Sequence, residues 1–583
     1  MEEIEKEEEK EVKKTEQQII DNLFTELENY RQTNATWRSD LNDIYNSYIG
    51  NMDAVKKVPY LDPITIPKLR TEISYIVPYI FSGNPEIEIE GVGDEDKDIA
   101  KIYEKIVNYR LQTMKQAYEK IESWVKQATT FGTSIMRINW KFETEEKEEK
   151  GQDGEMQTYQ TPILDEPELD VPNILDCFYN PILPDIYCQK SIIFRSVLPI
   201  EELKENPAYN YSGTQGLNRD RIKGKSMTTQ DKYDSSSQVD SEGIDIKRAS
   251  DGVVVVYERV TNDSIQTIVD GEERLLLRDT QVPYGIINAV KLIHEPNCIP
   301  NRFDGFGVGQ NTLGLSKGYH SIVNQTKQNI ALSNNTHFLV EKGAKIKKSQ
   351  LVVMPGGMTE VDAQGRALSD AIVPLQIPDI KQGALEFMAL LDDQHKRASG
   401  ANDIVQGGTS NKTLGQDEMA SNNSGNRFDL IQRRFKQALA DVAEILIRLE
   451  LENLQSPESA IMRIFPMEYR QTVYEALINS KDEIKYNIKV KGDTTIAKNK
   501  DVQIKQLIDW FGLVGQILPP ENQMAVARKI LELRGVDEID TLAPDPQQYA
   551  QQQQQEQMMA QQAEMGMMPQ GGQMTPAQQT YQM

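Results

Sequence analysis

The stretch Ser399-Gly-Ala-Asn-Asp-Ile-Val-Gln-Gly-Gly-Thr-Ser-Asn-Lys412 separates two segments with helical periodicity and decides how the chain is organised. Residues 380–398, before it, predict a helix. Residues 416–454, after it, predict the longest helix of the chain. Its apolar stripe recurs at spacings of three and four: Phe428, Ile431, Phe435, Leu439, Val442, Leu446 and Leu449. Gly407 and Gly408 permit backbone rearrangement in the loop between the two helices.

A third helix is predicted upstream, over residues 310–335, and its composition is unusual. Apolar residues follow one side of it, namely Leu315, Tyr319, Ile322 and Val323. The other side is mostly Ser, Asn, Gln and Thr, which is typical of a helix that faces water or a partner subunit. Short strands are predicted between this helix and the one at 380–398, at residues 337–341, 350–354 and 371–376.

The first 300 residues predict a mixture of helices and strands. Helical periodicity covers residues 16–50 and 67–81, and residues 99–130 form one long helix or two. Alternation predicts strands at residues 86–90, 135–140, 191–196, 253–260 and 264–277. Residues 142–158 predict a charged hairpin tip, and residues 205–251 predict a long, mobile surface loop.

The C-terminal part begins with a strand predicted at residues 486–490 and helices at 501–518 and 520–535. From Pro546 onward the chain is rich in Gln and Met and lacks Val, Ile and Leu, so it cannot fill a core. Disorder and a helix that forms only on assembly are the two interpretations of this tail.

The net charge of the chain is -25 and its pI is about 4.8. Such a protein lacks the excess of Lys and Arg needed to wrap a duplex by neutralising phosphates. It suits a conduit through which DNA slides without adhering. The three cysteines, Cys177, Cys188 and Cys298, indicate no disulfide framework and fit a reducing compartment. We expect no signal peptide and no membrane span.

The motifs of enzymes are incomplete in this sequence. Gly224-Lys225-Ser226 resembles the end of a phosphate-binding loop, but Arg219 stands where that loop needs a glycine. Gly305, Gly307 and Gly309 match a dinucleotide turn only loosely. His294 and Cys298 are separated by Pro296, which prevents a helical metal-ligand spacing. We therefore predict no catalytic, cofactor or metal site.

The order of elements between residues 300 and 455 resembles that of tailed-bacteriophage portal proteins, the head-to-tail connectors. Several short stretches are similar to segments of that family: Trp37 with Tyr45 and Tyr48, residues 73–90, 128–140, 171–181 with Asn180 where Asp is common, 300–309, 399–403 and 413–426. The resemblance covers roughly residues 16–540, and the size of the chain is closer to that of short-tailed phages.

The resemblance implies an α+β portal fold with an α/β wing, two stem helices, a small β-containing clip, a helical crown and a disordered tail. The implied parts are an acidic disordered N-terminus (1–15), the wing (16–305), a stem helix (306–335), the clip (336–379), the second stem helix (380–398), the tunnel loop (399–415), the long helix with wing return and crown (416–545), and the Gln/Met-rich tail (546–583).

The resemblance also implies a function. Portal subunits form a ring, usually of twelve copies, at one capsid vertex, and double-stranded DNA passes through it during packaging and ejection. Implied partners are the large terminase, the major capsid and scaffolding proteins, and head–tail adaptors. Implied locations are the virion and, during assembly, the host cytoplasm. Twelve copies would carry a net charge on the order of -300, which repels DNA from the channel wall.

The candidate DNA-contacting residues follow from this layout. The tunnel loop supplies Asn402, Gln406, Gly407, Gly408, Ser410, Asn411 and Lys412, whose polar groups and one cation can hold phosphates without reading sequence. The stem supplies Lys317, Lys327 and Lys396.

Two alternatives remain open from the sequence. One is another virion ring or connector protein, although head–tail adaptors are usually much shorter. The other is a DNA-packaging enzyme, which should show a complete phosphate-binding loop or a convergent acidic metal site.

Overall fold

The computed structural model describes residues 2–51, 63–81, 85–93, 96–150, 156–213, 216–224, 252–282, 285–334, 337–340, 372–375, 382–401, 414–479, 486–491, 504, 507–513 and 520–534. The helices in this part of the chain are α1 (Glu2–Thr33), α2 (Ala35–Ile49), α3 (Lys68–Ile80), α4 (Lys97–Thr113), α5 (Ala117–Phe131), α6 (Ile200–Glu205), α7 (Val308–Asn334), α8 (Gln382–Ser399), α9 (Leu414–Asn453), α10 (Arg470–Asn479) and α11 (Pro520–Arg534). The chain divides into two compact units, Met1–Gly492 and Asp493–Met583. None of the described helices is both long enough and apolar enough to cross a membrane.

The strands are β1 (Glu86–Gly91), β2 (Thr133–Lys150), β3 (Met156–Asp170), β4 (Cys177–Phe178), β5 (Ser191–Pro199), β6 (Ser212–Gly213), β7 (Gly216–Leu217), β8 (Val253–Thr261), β9 (Ser264–Asp270), β10 (Arg274–Gln281), β11 (Ala289–Ile293), β12 (His337–Val340), β13 (Ile372–Leu375) and β14 (Tyr486–Lys491). Every described strand pair is antiparallel. Helices and antiparallel strands together confirm the α+β class.

The first helix is longer than the sequence predicts. Residues 1–15 are expected to be disordered, yet α1 begins at Glu2. The composition explains the difference, because Glu and Lys are strong helix formers and acidic residues are favourable near a helix N-terminus. The predicted helix over residues 16–50 breaks at Asn34, whose buried side-chain amide donates to the carbonyl oxygen of Tyr179 at 3.1 Å.

The helical segment at residues 99–130 is two helices. α4 ends at Thr113, where Met114 has a ψ of 135° that leaves the helical conformation, and Gln116, just before α5, has a left-handed φ of 58°. Gly132 ends α5 with a φ of 90°, and its N–H donates to the carbonyl oxygen of Ala128 at 2.8 Å. The predicted strand at residues 135–140 then follows as the first part of β2.

A five-stranded sheet has the order β10-β9-β8-β5-β4. α1 covers one face of this sheet through a set of apolar side chains: Ile20, Leu23 and Leu27 on the helix, and Tyr257, Ile268 and Leu276 on the strands. The guanidinium of Arg259 binds both carboxylate oxygens of Glu26, at 2.8 and 2.9 Å. This two-point contact fixes the helix on the sheet.

The opposite face of that sheet carries part of the predicted mobile loop. Residues 205–251 are expected to be mobile, but their first part is ordered. Asn218 is buried, and its side-chain amide donates to the carbonyl oxygen of Leu276 at 2.9 Å. Ile222 is also buried and packs in a small apolar cluster that includes Leu203 and Val254. Asn218 and Ile222 therefore hold this segment on the sheet despite its polar composition. Residues 214–215 and 225–251 lie outside the described part.

A three-stranded sheet has the order β11-β2-β3. β11 pairs only with the start of β2, from Thr133 to Arg137, whereas β3 pairs with β2 from Arg137 to Lys150. The predicted hairpin tip at residues 142–158 is therefore the outer part of a long hairpin, and its turn at 151–155 lies outside the described residues. The sequence analysis did not predict β11.

Strands β1 and β14 join distant parts of the chain, from Glu86 opposite Lys491 to Gly91 opposite Tyr486. Both strands were predicted from their alternation. Ile87 and Ile89 of β1 are buried, and the glutamates between and beside them are more exposed. α4 covers the other edge of β1, because the side-chain amide of Asn108 exchanges two hydrogen bonds with the backbone of Ile87.

The long helix α9 supplies much of the main core. All seven residues of its predicted apolar stripe, from Phe428 to Leu449, are buried, as expected. Phe435 lies against Trp124 of α5 and Phe81 at the end of α3, with ring centroids 6.3 and 5.7 Å apart. This stripe holds α9 between the N-terminal helices and β11.

Two backbone segments cross closely where α7 begins. A Cβ atom on Gly132 would overlap the carbonyl oxygen of Gly305, and one on Gly307 would overlap the backbone nitrogen of Gly132. The N–H of Gly305 donates to the hydroxyl of Thr133 at 2.8 Å, which holds the crossing together. The glycines at 305 and 307 thus serve close packing of backbone on backbone.

A buried ion pair ties α4 to α9. The Nε of Arg110 lies 2.5 Å from Oε1 of Glu450, and each residue is 5 % exposed. Burial raises the pKa of Glu450, and the positive charge of Arg110 opposes that rise. The guanidinium of Arg110 also lies 3.6 Å from the carboxylate of Glu166 in β3. This one side chain therefore links α4 and α9 to the long hairpin β2–β3.

Replacing Arg110 with Ala should lower the free energy of unfolding by about 3–5 kcal/mol, because it leaves the carboxylate of Glu450 buried without its cation. Denaturant unfolding of the purified chain measures this change. The double variant Arg110→Met with Glu450→Leu is the control and should lose much less. A loss below about 1 kcal/mol in the single variant would contradict the role given to the pair.

Candidate functional site

Helices α7 and α8 form an antiparallel pair, which is the candidate functional site. Ser316 lies beside His395, and Gly318 lies beside Leu391, so the residue numbers run in opposite directions along the two helices. Both helices were predicted, and their observed bounds differ from the predicted ones by two residues or fewer. Strands β12 and β13 pair between them, from His337 opposite Leu375 to Val340 opposite Ile372. The predicted strand at residues 350–354 lies outside the described part.

The buried face of α7 is polar, which the sequence analysis did not anticipate. The predicted apolar side of α7 is only half-buried; it consists of Leu315, Tyr319, Ile322 and Val323. In contrast, Thr312, Ser316 and His320 are at most 2 % exposed. The reason is that these three side chains form hydrogen bonds with neighbouring elements or with their own helix. Burial of polar groups is tolerated when such partners are present.

One buried cluster joins three helices. Nδ1 of His395 (α8) lies 2.7 Å from Oε1 of Glu72 (α3), and Nε2 of His395 lies 2.8 Å from Oγ of Ser316 (α7). The three residues are 1–4 % exposed. If Glu72 or His395 moved away, the other would lose its hydrogen-bond partner while still buried. The cluster therefore fixes the spacing of the three helices.

The Ser–His–Glu connectivity of this cluster is that of a nucleophilic triad. Ser316 is 1 % exposed and lies inside α7, so a substrate carbonyl could not approach its hydroxyl from solvent. Glu72 and His395 belong to packed helices as well. The cluster is therefore a structural joint in this conformation.

Further polar contacts extend the joint along α7. The ammonium of Lys68 pairs with Asp392 and lies 3.4 Å from the ring centroid of Tyr319. The side-chain amide of Asn324 exchanges two hydrogen bonds with the backbone of Ile64, at 2.7 and 2.8 Å. The backbone N–H of Ile66 donates to Nε2 of His320 at 2.8 Å. We call this row the polar seam, formed by Ile64, Ile66, Lys68 and Glu72 on one side and by Ser316, Tyr319, His320, Asn324, Asp392 and His395 on the other.

The three predicted stem lysines lie on this helix pair. Lys317 binds Asp43 of α2 at 2.7 Å, and Lys396 lies 3.5 Å from Asp392. Burial by itself would raise the pKa of Asp392, but the hydrogen bond and charge of Lys68 and the charge of Lys396 lower it below its usual value. Lys327 is half-buried further along α7. Lys317 and Lys396 therefore each have a carboxylate beside them.

The predicted tunnel-loop residues, Asn402, Gln406, Gly407, Gly408, Ser410, Asn411 and Lys412, lie outside the described part of the chain. The structure describes the two ends of the loop. α8 ends at Ser399, whose hydroxyl accepts a hydrogen bond from the N–H of Ala401 at 3.2 Å. α9 begins at Leu414, two residues earlier than predicted.

The exposed faces of the pair differ in character. α7 exposes an uncharged face that includes Asn311, Gly314, Ser321 and Gln325. α8 exposes large apolar side chains, and Leu385, Phe387 and Leu390 are 52, 47 and 52 % exposed. The sequence analysis identified the α8 helix and missed these residues, although the absence of a matching polar face in residues 385–391 was a usable signal.

A buried carboxyl group lies just before α7. Asp304 is 6 % exposed and accepts a hydrogen bond from the hydroxyl of Tyr179. Burial raises the pKa of Asp304 to about 6, while the Tyr179 hydrogen bond and the charges of Arg302 and Lys291 hold it down. The Tyr179 ring also lies 4.0 Å from that of Phe303. The sequence analysis missed Asp304 because Gly305, Gly307 and Gly309 follow it, and such a run of glycines indicates a loop and not a core.

The described residues contain no group of three or more His, Cys, Asp or Glu arranged to hold a metal ion. A family model described as "Phage SU10 portal protein" matches residues 65–172 and 267–570, which is well over half of the chain. The matched regions include α3, the long hairpin, the helix pair and α9. No curated protein matches the chain.

The pKa of Asp304 predicts a pH dependence of stability. Well below pH 4 the carboxyl is protonated in both the folded and the unfolded chain. Between about pH 4 and pH 6 the unfolded chain releases this proton while the folded chain keeps it, so stability falls by up to about 3 kcal/mol and the loss is complete once the pH has passed the raised pKa of about 6. Asp304→Asn keeps an acceptor for Tyr179 and should remove this loss, so its advantage over the parent chain should be largest at pH 8. Urea unfolding at pH 4.5 and pH 8 measures it, and equal differences at both values would contradict the assignment.

Proposed function

The chain belongs to the phage SU10 portal protein family, and from this membership we propose that it forms the ring-shaped channel at one vertex of a phage capsid. Double-stranded DNA would enter through this channel during packaging and leave through it during ejection. The observation that carries the proposal is the family match over residues 65–172 and 267–570. The protein would act without catalysis or a cofactor, as a structural component of the virion.

The exposed side of α8 supports assembly into a ring, which we propose has twelve subunits. Large apolar side chains clustered on an exposed helix mark a surface that another protein covers. Phe387 and Leu390 are three residues apart, so they share one face of α8, and both are about half exposed in the single chain. In the proposed ring they pack against the neighbouring subunit, whose helix pair stands beside them.

The uncharged face of α7 supports its role as the channel wall. Asn311, Gly314, Ser321 and Gln325 bring no fixed positive charge to passing phosphates, so few counterions are released and adhesion is weak. Lys317 and Lys396 have carboxylates beside them, which weakens their attraction for DNA. Lys327 completes the proposed set of stem contacts.

The loop between α8 and α9 is the proposed tunnel loop. Its one cation, Lys412, and the neutral groups of Asn402, Gln406, Ser410 and Asn411 would grip DNA weakly and without reading sequence. Gly407 and Gly408 would let the loop rearrange as DNA passes. The position of the loop between the second stem helix and the long helix supports this proposal.

The remaining parts take their roles from the same layout. We propose residues 16–305 as the wing, 336–379 as the clip, 416–545 as the long helix with wing return and crown, and 546–583 as the tail. The clip would bind first the large terminase and later the head–tail adaptors. The wing would meet the major capsid and scaffolding proteins while assembly proceeds in the host cytoplasm.

Negative-stain microscopy of the purified chain tests the ring directly and should show particles with a central hole. Phe387→Asp combined with Leu390→Asp should abolish these rings, because it places charge in the apolar contact, while the helical circular dichroism stays unchanged. Gln382→Asp with Gln394→Asp adds the same charge to exposed polar positions of α8 and should leave the rings intact. Intact rings in the first variant would contradict the proposed contact.

Lys412→Glu should weaken the proposed grip on packaged DNA, because it reverses the one positive charge of the loop. The length of genome retained in purified particles should then shorten relative to that in Lys412→Arg particles, which keep the charge. Equal genome length in the two variants, with normal packaging, would refute the grip.

A further inference from the structure

Helices α5 and α9 turn one face toward each other and the opposite face outward. The ring centroids of Trp124 in α5 and Phe435 in α9 lie 6.3 Å apart, and both residues are buried. Glu122 precedes Trp124 by two residues, and Arg433 precedes Phe435 by two residues. Two residues of an α-helix turn through about 200°. Glu122 and Arg433, which are both exposed, therefore lie on opposite outer sides of the α5–α9 pair.

The outer face of α9 combines an apolar side chain with a positive charge. Leu430 and Arg433 are three residues apart, so they are neighbours on this face, and Leu430 is 57 % exposed. Gln437, one turn further along, is exposed as well. Asp429 is exposed just before Leu430, and the partly exposed Lys436 offsets its charge. We call Leu430, Arg433 and Gln437 the α9 face.

An aromatic side chain belongs to the segment that packs beside this part of α9. Arg434, one turn after Leu430, donates a hydrogen bond to the carbonyl oxygen of His294 at 2.5 Å. The next residue, Glu295, exchanges two backbone hydrogen bonds with Phe306, at 2.7 and 3.1 Å. Phe306 is 40 % exposed. Large exposed apolar side chains on adjoining segments indicate a surface that another protein covers.

The outer face of α5 combines an aromatic ring with negative charge. Tyr118, Glu119 and Glu122 stand within about one helical turn of each other, and all three are exposed. The ring of Tyr118 packs against that of Phe81, with centroids 4.9 Å apart, and still remains 40 % exposed. We call Tyr118, Glu119 and Glu122 the α5 face.

Two lysines of α5 are engaged with other elements of the same subunit. The ammonium of Lys120 lies 4.0 Å from the carboxylate of Asp170 in β3. That of Lys126 lies 5.9 Å from the ring centroid of Tyr48 in α2. Lys115 is exposed just before the helix begins. The two glutamates therefore give the α5 face an acidic character that suits the guanidinium of the α9 face.

The positions of the two faces suit a ring. In a ring built by head-to-tail contacts, each subunit presents one surface to the neighbour on one side and a different surface to the neighbour on the other. The α9 face and the α5 face meet this condition, because they lie on opposite sides of the α5–α9 pair. Arg and Tyr are also among the residue types that contribute most to protein–protein contacts.

We propose that the α9 face of one subunit docks on the α5 face of the next subunit in the ring. This inference rests on the proposed ring and adds a contact outside the helix pair α7–α8. Arg433 binds Glu119 and Glu122 of the neighbour, and Leu430 covers the exposed part of Tyr118. The competing interpretation is that both faces are ordinary charged surfaces, in which case reversing their charges would leave assembly unchanged.

Charge reversal in the full chain tests the contact. One variant carries Arg433→Glu, and the other carries Glu119→Lys with Glu122→Lys. Each variant alone should raise the concentration of half-assembly about tenfold, because attractive pairs become repulsive. Mass photometry measures this concentration, and circular dichroism of the unassembled chains should match that of the parent.

Helix α6 supplies matched controls. Lys204→Glu makes the same change of net charge as Arg433→Glu, and Glu201→Lys with Glu205→Lys makes the same change as the double variant of α5. All three control residues are exposed. Both control variants should assemble at the parent concentration.

Mixing the two reversed variants identifies the partner. In an alternating ring with an even number of subunits each reversed α9 face meets a reversed α5 face, so the mixture should assemble at the parent concentration. Rescue only when all three changes are in one chain would show a contact within a subunit and overturn the proposal. Normal rings from the two variants alone, no rescue in the mixture, or loss of DNA binding with normal rings in the Arg433→Glu variant would also overturn it. Absence of rings from the parent chain would overturn the proposed function as well.

Discussion

The crossing of two backbone segments at Gly132 and Gly305–Gly307 is the constraint on which the rest of the structure depends. It brings the end of α5 and the start of β2 against the segment that leads into α7, without side chains between them. Thr133 and Gln310 add hydrogen bonds on either side of the contact, at 2.8 Å each. The start of α7 is therefore held in place by backbone packing, which leaves little freedom at this point.

Regular periodicity made much of this fold predictable. The apolar stripe of α9, the strands β1 and β14, and the helix pair all follow from local patterns of residue spacing. What could not be predicted depends on partners that are distant in sequence. His395 binds Glu72 across more than 300 residues, and Asn218 anchors a polar segment on the five-stranded sheet. The charged composition of residues 1–15 led to a prediction of disorder, but Glu and Lys are strong helix formers and these residues belong to α1.

The candidate site, too, was predictable from the sequence only in part. Local patterns located α7 and α8, but they did not show that the lysines on them have carboxylates beside them or that Phe387 and Leu390 remain exposed. The polar seam fixes the register in which the helix pair packs on α3. Apolar contacts alone would allow helices to shift by a turn at small cost, whereas the hydrogen bonds that join Glu72, His395 and Ser316 would be lost if any of the three helices shifted by a turn. The polar contacts thus hold the helix pair in one position relative to α3, which apolar packing alone would not do.

The pairing of β1 with β14 bears on how the chain matures on the ribosome. Glu86 lies opposite Lys491, so this sheet closes only after about 400 further residues have been synthesised. At about 5–20 residues per second the early helices wait on the order of a minute with part of their core uncovered. In the last part of that interval, once residue 399 has been synthesised, the nascent chain carries the same apolar α8 face as the finished subunit. Host chaperones that shield it until β14 emerges would keep premature, off-pathway association from competing with ordered assembly.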